Sequence, residues 1–276
     1  MTILVAGATG NVGRQLVGQL ARAGQPVRAL TRDPERADLP DGVQPVSGDL
    51  TRPDSLRQAL DGATALHLLT YSDSTPLETG PEIVKLAVEA GVRRATVLWG
   101  GMKGPVEHAV MAADWEWTIL EPVEFMSNAL EWVNSVREEG VIREAFPEVL
   151  SAAVHEADIA AVAATALVEG GHGGKSYNLT GPEALTMYDK ARIISAATGH
   201  DIELVQLTRE QANQRLRDRD VPEDVIDYVV GWHANPPASA YTVDPTVEQI
   251  TGRPARTYAE WVAEHADAFR LPGVGE

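Results

Sequence analysis

The sequence predicts an α/β fold, in which a doubly wound parallel sheet is joined to a smaller, mostly helical C-terminal lobe. Over the first 182 residues, short apolar runs alternate with segments whose apolar residues recur at helical spacing. A glycine-rich turn joins the first apolar run to the first helical segment, and helical patterns predominate after residue 182. Alternating strands and helices form βαβ units, so that helices cover both faces of a parallel sheet.

Each predicted strand of the main sheet is a short apolar run bounded by glycine or polar residues. The runs are 2–6, 27–30, 43–46, 65–70, 95–99, 117–120 and 176–179. The first helix follows the glycine turn, because Val12, Leu16 and Leu20 recur at helical spacing until Gly24. Further helices are predicted after Thr51 and at 82–90, 105–114, 124–138 and 157–169.

The C-terminal lobe is predicted to begin near residue 182. Its helices are expected at 188–198, after the capping-box sequence that starts at Thr208, at 221–233 and at 258–269, with a strand at 202–207. We therefore expect two domains, 1–182 and 183–276, whose segments interleave.

The composition excludes several classes of function. Twenty-three basic and 40 acidic side chains give a net charge of −17, which disfavours binding to nucleic acids and to anionic membranes. The chain has no cysteine, no pair of histidines at metal-ligand spacing and no apolar run long enough for a transmembrane helix. We expect a cytoplasmic protein with no metal site.

The glycine turn has the spacing and context of a dinucleotide-binding loop. Gly7 permits the tight turn, Gly10 lets a pyrophosphate approach the backbone, and Gly13 lets the helix pack closely on the strand. The helix N-terminus then offers amide donors to the phosphates. We expect a Rossmann domain that binds a nicotinamide dinucleotide, with contacts from Gly7, Thr9, Gly10, Asn11, Val12 and Gly13.

The residues after the second and third strands bear on the choice of cofactor. Arg32 offers a fork that suits the 2′-phosphate of NADP(H), whereas Asp33 could serve the ribose of NAD(H). We therefore expect NADP(H), with NAD(H) as the alternative. Asp49 and Leu50 follow the third strand and suit an adenine-side contact, although Asp49 is equally typical of a turn. Further cofactor contacts are expected at Leu69, Thr70 and Pro122.

Several motifs together resemble the NmrA-like branch of the atypical short-chain dehydrogenase/reductases. They are the glycine loop, 31–34, 48–50, 118–128, 157–160, 177–182 and 252–254. The resemblance implies a Rossmann core, a small helical lobe and a substrate cleft between them, with a homodimer as the family-level expectation. It also implies either an NADPH-dependent reductase of quinones, azo dyes and related acceptors, or a catalytically silent redox sensor.

The catalytic pair of the wider superfamily, a tyrosine four residues before a lysine, occurs nowhere in the chain. Two other residues are candidates for catalysis. Lys103 follows the fifth strand, where it could hold the ribose or polarise a carbonyl, or could be an ordinary surface lysine. Tyr71 ends the fourth strand, where its phenol is a candidate proton donor, although simple packing also explains it.

A substrate pocket is expected at the same side of the sheet. Its candidate residues are mostly large or polar side chains that core packing or surface exposure would also explain: Trp99, Met102, His108, Glu121, Phe125, Met126 and Trp232. They would surround a small-molecule substrate.

Three functions remain open from the sequence. The first is an NADPH-dependent reductase of a small aromatic or conjugated acceptor of quinone, imine, carbonyl or azo type, which needs little help from a tyrosine acid. The second is a redox sensor that binds NADP and acts through a partner protein. The third is a Rossmann enzyme with non-redox chemistry on a metabolic intermediate.

Overall fold

The computed structural model describes residues 1–72 and 75–270. They divide into two compact units. Of these described residues, the first unit contains those within Met1–Pro122, Glu156–Leu179 and Thr246–Arg253, and the second contains those within Val123–His155, Thr180–Pro245 and 254–270.

The strands of the described residues, numbered in chain order, are as follows. They are β1 (Ile3–Val5), β2 (Val27–Thr31), β3 (Gln44–Ser47), β4 (Ala65–Leu69), β5 (Tyr71–Ser72), β6 (Thr75–Pro76), β7 (Arg94–Leu98), β8 (Glu116–Pro122), β9 (Val141–Ala145), β10 (Lys175–Leu179) and β11 (Glu203–Leu207).

The helices of the described residues are as follows. They are α1 (Asn11–Arg22), α2 (Arg57–Leu60), α3 (Gly80–Glu89), α4 (Pro105–Ala112), α5 (Val133–Glu139), α6 (Glu156–Val168), α7 (Met187–Thr198), α8 (Arg209–Arg217), α9 (Glu223–Ala234), α10 (Thr246–Thr251) and α11 (Tyr258–Phe269), with 3₁₀ turns at Pro53–Leu56, Met126–Trp132 and Ala238–Ala240.

The first unit is built on a parallel seven-stranded sheet in the order β10-β8-β7-β4-β1-β2-β3. The strand order reverses at β1, because β2 lies on one side of it and β4 on the other. Parallel sheets of this kind bind ligands at the carboxyl ends of the strands, where the order reverses. The predicted α/β, doubly wound Rossmann fold is confirmed.

Helices cover both faces of this sheet because its strands are apolar on both sides. On one face α1 and α6 pack against each other, and α6 is buried around most of its circumference. On the other face α2, α3 and α4 bury residues such as Leu60, Ile83 and Val110 against Leu66 and Val97 of the sheet.

The second unit is mostly helical, as predicted. Its core joins α5, α7 and α11 through side chains such as Val136, Ile194 and Trp261. Two features differ from the sequence prediction. The segment predicted as one helix at 124–138 contains a 3₁₀ turn followed by α5, and β9 forms a two-stranded parallel sheet with β11.

The division between the units differs from the predicted boundary at residue 182. Position 182 lies close to one of the points at which the chain passes from the first unit to the second, between Leu179 and Thr180. However, Val123–His155 belongs to the second unit and not to the sheet domain. This segment packs Met126, Trp132 and Val136 into the apolar core of the second unit. Glu124 also forms an ion pair there, in which the Lys190 ammonium lies 3.0 Å from both carboxylate oxygens of Glu124.

Within the described part of the chain, no helix combines the length and the apolar character that crossing a membrane requires.

Candidate functional site

The glycine loop between β1 and α1 is a tight turn that depends on the absence of side chains. Gly7 has a φ of +62°, and a Cβ there would lie 2.6 Å from Leu69 Cδ1. At Gly13 a Cβ would lie 1.9 Å from the Gly7 carbonyl oxygen, so that α1 could not pack on the loop. Both glycines therefore serve the close packing that their spacing predicts.

Gly10 has a different environment, because its outer side is open. A Cβ there would meet only the Gly7 carbonyl oxygen, at 3.3 Å, and its φ of −78° is accessible to any residue. The need for glycine at this position is therefore not explained by the fold of the loop itself. A phosphate group that approaches the backbone at this point supplies the explanation.

The start of α1 is suited to an anion. Its first turn contains no acidic residue, and the N-cap residue Gly10 provides no side-chain hydrogen bond. The first amides of a helix have no partner within the helix and carry a partial positive charge. Thr9, Gly10 and Asn11 are exposed, whereas Val12 and Gly13 are buried and can contribute only through the backbone. These residues fit a dinucleotide pyrophosphate.

The sequence interpretation missed a cluster of arginines beside this loop. The Arg14 guanidinium donates a hydrogen bond of 2.7 Å to the Thr9 carbonyl oxygen. Arg14, Arg22 and Arg36 line one groove along α1 together with Thr9. Arg14 and Arg22 lie about two helical turns apart on α1, and this spacing was the available signal; Arg36 follows β2 and is not on the helix.

The predicted selector of the 2′-phosphate lies directly after β2. Arg32 is exposed and lies near the carboxylate of Asp49, since its charge helps to lower the pKa of that group. The alternative residue, Asp33, faces Arg36 at 4.0 Å. The Arg36 cation therefore lies beside the Asp33 carboxylate, which would repel a 2′-phosphate.

Asp49 is held in a turn. One carboxylate oxygen accepts hydrogen bonds from the backbone amide and the hydroxyl of Thr51, at 2.9 and 2.8 Å. These two bonds, with smaller contributions from Arg32 and Arg52, lower its pKa. The Leu50 carbonyl accepts a 2.6 Å hydrogen bond from Thr79. The turn role of Asp49 is therefore present, and its contact with adenine stays a prediction.

The carboxyl end of β4 lies beside the glycine loop and the end of β7. The Leu69 side chain contacts the loop at Gly7. Thr70 is buried and its hydroxyl lies 3.4 Å from the Leu98 carbonyl oxygen. The ring of Tyr71 lies on the backbone of Gly100, where a Cβ would be 2.3 Å from the ring. The structure thus places the predicted residues Leu69, Thr70 and Tyr71 along one edge.

Glu107, which the sequence interpretation did not assign to the site, is fully buried at the start of α4. One of its carboxylate oxygens, Oε2, accepts a 3.0 Å hydrogen bond from the Gly104 amide in a capping box. The other, Oε1, is buried and has no hydrogen-bond partner in the described part of the chain, as is the case for Trp99 Nε1. Burial raises the pKa of Tyr71, and the charge of Glu107 raises it further.

The loop that carries Lys103 is on the surface. Lys103 and Met102 are exposed, and His108 is exposed on α4. Lys103 forms no hydrogen bond or ion pair with any of the residues at 1–72 and 75–270. Its predicted role at the ribose or at a carbonyl stays a prediction.

The remaining predicted residues divide between the units. Glu121 and Pro122 are half-buried at the end of β8, paired with Asn178 and Leu179 of β10. Phe125, Met126 and Trp232 belong to the second unit. Met126 is buried in the core of that unit, and Phe125 forms a backbone bridge with Val154. Their roles in a substrate pocket stay predictions.

A pocket lies within the second unit, with Trp232 in its wall. It is lined by aromatic and aliphatic side chains, including Trp132 and Phe146, and by the polar side chains of Glu124 and His233. Phe146 has a φ of +54°, which is rare for a bulky residue and marks local strain. Sequence reasoning had no signal for this pocket, because its residues come from distant segments.

Glu124 is the polar anchor of this pocket wall. It accepts hydrogen bonds from the Lys190 ammonium and from the Ser151 hydroxyl. Burial alone would raise its pKa, but the charge of Lys190 and the two sets of hydrogen bonds outweigh burial and lower it. Glu124 therefore remains an anion inside a largely apolar wall.

Comparison with known proteins agrees with this geometry. A family model described as NAD(P)H-binding matches residues 7–102. The chain is 35% identical to a (4-alkanoyl-5-oxo-2,5-dihydrofuran-3-yl)methyl phosphate reductase of Streptomyces griseus subsp. griseus, over 97% of this chain and 99% of the relative. It is 34% identical to an NAD(P)H azoreductase of Xenophilus azovorans, with the same coverage of 97% and 99%.

The solved structure of a Citrobacter sp. triphenylmethane reductase complexed with NADP(H) is also similar. Its TM-score is 0.77 at 25% identity, and the match covers 96% of this chain and 100% of that chain.

Proposed function

Because the chain belongs to the NAD(P)H-dependent reductases of the NmrA-like, atypical short-chain dehydrogenase/reductase type, we propose that it reduces a small conjugated acceptor with NADPH and without a Tyr–Lys pair. The observation that carries the proposal is the edge formed by the glycine loop, Leu69, Thr70 and Tyr71. It joins a pyrophosphate site to a phenol at the carboxyl ends of neighbouring strands.

The cofactor is held by backbone groups at one end and by cations at the other. The amides of Gly10, Asn11 and Val12 bind the pyrophosphate, and Arg32 binds the 2′-phosphate. Arg14 supports the second contact, because it is anchored on the Thr9 carbonyl beside the loop. These contacts favour NADPH over NADH.

When bound, the reduced nicotinamide supplies a hydride. The groups of the chain then have to bind the acceptor and stabilise the charge that develops on its oxygen or nitrogen. Tyr71 donates a hydrogen bond to that atom, since it begins β5 just after the end of β4 and its ring lies on the backbone of Gly100. Lys103, on the neighbouring loop, supplies the positive charge.

The acceptor is an aromatic or conjugated molecule. The two relatives described above are named for an azo group and for an unsaturated, alkanoyl-substituted furanone. The solved relative is named for a triphenylmethane dye. These acceptors share an electron-poor conjugated system, which takes up a hydride with little assistance from an acid.

A panel of acceptors tests this proposal. Purified protein is mixed with NADPH and, separately, a quinone, an azo dye, an imine and an unsaturated lactone, and oxidation of the nicotinamide is followed by absorbance. We expect turnover with at least one conjugated acceptor and slower turnover with NADH. Tight binding of NADPH without turnover on any acceptor would favour the redox sensor, and conversion of an acceptor without NADPH consumption would favour non-redox chemistry.

Two further expectations accompany the reductase. We expect it to act in the cytoplasm, where NADPH is available, because a chain without cysteine gains nothing from the oxidising compartments in which disulfides form. A homodimer is expected from the family, and sedimentation of the purified protein tests it.

A further inference from the structure

The pocket of the second unit has aromatic walls and the size of a small-molecule site. Its volume is about 330 Å³, and cavities that hold small molecules measure about 300–1,000 Å³. Trp132, Phe146 and Trp232 contribute three rings to its wall. Every residue that lines it belongs to the second unit, so the pocket is formed by that unit alone.

Neighbouring groups hold two of these rings in place. Trp132 is buried, and its indole Nε1 donates a 2.7 Å hydrogen bond to Glu144 Oε1. The ring of Trp232 lies beside that of Tyr228 on the same helix, α9, with 6.3 Å between the ring centroids. The aromatic wall is therefore formed before any ligand arrives.

Carboxylates dominate the charged groups of the wall. Glu124, Glu131 and Glu144 all line the pocket. Among the described residues, no lysine or arginine lines it, and the histidine that does, His233, is exposed. A carboxylate accepts hydrogen bonds and donates none, so the charged groups of the wall suit a ligand that donates.

Glu124 is an anion with acceptor capacity to spare. Burial alone would raise its pKa, but the charge of Lys190 and the hydrogen bonds from Ser151 and Lys190 lower it. The Lys190 ammonium donates to both carboxylate oxygens, and the Ser151 hydroxyl donates to Oε2. Each carboxylate oxygen has two lone pairs, so Oε1 retains one for a further donor.

The arginines that pair with the other two carboxylates do not line this pocket. Arg219 lies 2.9 Å from Glu131, and Arg215 lies 3.5 Å from Glu144. Both arginines line an adjoining groove of the same unit. An anion bound in the pocket would therefore meet carboxylates in the wall without a lysine or arginine there to offset them.

We propose that this pocket is a binding site for an aromatic small molecule that carries a protonated amine, and that it discriminates against aromatic anions. The rings of the wall pack against the aromatic part, and the faces of aromatic rings also attract cations. The carboxylates accept hydrogen bonds from the amine. The site goes beyond the reductase activity, because binding such a molecule requires no hydride transfer.

Three ligands that share a ring and differ in one group test the preference for charge. They are a naphthylmethylamine, which is cationic at neutral pH, the corresponding neutral naphthylmethanol and the anionic naphthoate. Affinities are measured by calorimetry with excess NADPH present, so that the probes do not enter a dinucleotide site. We expect the amine to bind at least about tenfold more tightly than the naphthoate, with the alcohol between them. Equal affinities of amine and naphthoate, or no binding of the amine, would overturn the proposal.

Variants of the wall locate the bound amine. Trp232→Ala removes one ring, and Glu144→Gln removes one charge while its amide oxygen can still accept from Trp132. We expect each to weaken binding of the amine about three- to tenfold. Tyr188→Ala and Glu203→Gln, which change exposed residues of the same unit outside the pocket, should bind it like the wild type. Unchanged affinity in either folded wall variant would overturn the proposal.

The comparison of the three ligands uses the wild-type protein, so it does not require any variant to fold. None of the three ligands is a hydride acceptor. A protein that binds the amine selectively and turns over no acceptor would support this site while refuting the proposed reductase, so the two failures are distinguishable.

Discussion

Replacing two glycines of the same loop by alanine separates the requirements of the fold from those of the cofactor. At Gly13 the new methyl group would lie 1.9 Å from the Gly7 carbonyl oxygen and 2.7 Å from its carbon, whereas ordinary contacts begin at 3.4 Å. These neighbours are backbone atoms, so α1 must move away from the loop. Overpacking of this kind costs about 1–3 kcal/mol of unfolding free energy.

At Gly10 the methyl group would meet only the Gly7 oxygen at 3.3 Å, and the backbone angles suit alanine. We expect the free energy of unfolding to change by less than about 0.5 kcal/mol. The methyl group would nevertheless project from the open side of the loop, where the pyrophosphate approaches. Affinity for NADPH should fall at least about tenfold, which corresponds to about 1.4 kcal/mol.

The assay combines thermal unfolding without cofactor and fluorescence titration with NADPH. Gly13→Ala should unfold about 2–12 °C below the wild type, since 1 kcal/mol shifts the midpoint of a domain of this size by about 2–4 °C. Gly10→Ala should unfold at the wild-type temperature and bind NADPH weakly. If Gly10→Ala binds NADPH like the wild type, the pyrophosphate does not approach the backbone at Gly10, and the cofactor site is wrongly placed.

Three more predictions follow from charges in the structure. Arg32→Ala should weaken NADPH binding about tenfold and leave NADH binding unchanged. The control variant Arg22→Ala, at the end of α1, should keep the preference for NADPH over NADH. Equal losses of affinity for both cofactors in Arg32→Ala would count against a contact with the 2′-phosphate. Lys190→Met leaves the buried carboxylate of Glu124 without its cation and should cost about 3–5 kcal/mol of unfolding free energy, measured by urea denaturation. The folded-state pKa of His67 is lowered from 6.5 to about 4, so wild-type stability should fall as the pH decreases from 6.5 towards 4, by up to about 3 kcal/mol. A His67→Asn variant with the same loss over this interval would show that His67 is not the cause.

The sheet was predictable because its strands are buried on both faces. Ile3–Val5 and Ala65–Leu69 are continuous apolar runs, and such runs are visible without tertiary information. The glycine loop was predictable for a related reason, since Gly7 and Gly13 meet backbone requirements that depend on local geometry. The start of α11 was predictable for the same reason, because Thr257 and Glu260 form a capping box between residues close in sequence.

Features that depend on distant partners were not predictable. β9 contains only two consecutive apolar residues before Arg143 and Glu144, and it becomes a strand because it pairs with β11. Glu124 and Lys190 are 66 positions apart, so the sequence around either residue does not predict that they form an ion pair. Val123–His155 belongs to the second unit because apolar side chains such as Met126 and Val136 pack in its core.

The residues of the candidate site also divide into those that the sequence could predict and those that depend on distant partners. The cofactor-binding roles of the glycine loop and of Arg32 after β2 were predicted from sequence spacing alone. Glu107 had only the signature of a helix cap, and burial of its second oxygen becomes evident only when α4 is packed. Lys103 was assigned by position along the chain, and the structure places it on the surface without a partner among the described residues.

The most direct test of the proposed activity is transfer of deuterium from NADPH labelled at C4 of the nicotinamide. The labelled cofactor is incubated in ordinary water with the protein and an acceptor that takes up the hydride on carbon, such as an imine or an unsaturated lactone, so that the deuterium does not exchange with solvent, and the product is analysed by mass spectrometry. We predict that one deuterium is transferred to the product and that the label slows turnover. Tight binding of the labelled NADPH with all deuterium retained on the cofactor, for every acceptor tried, would contradict the assignment of a reductase.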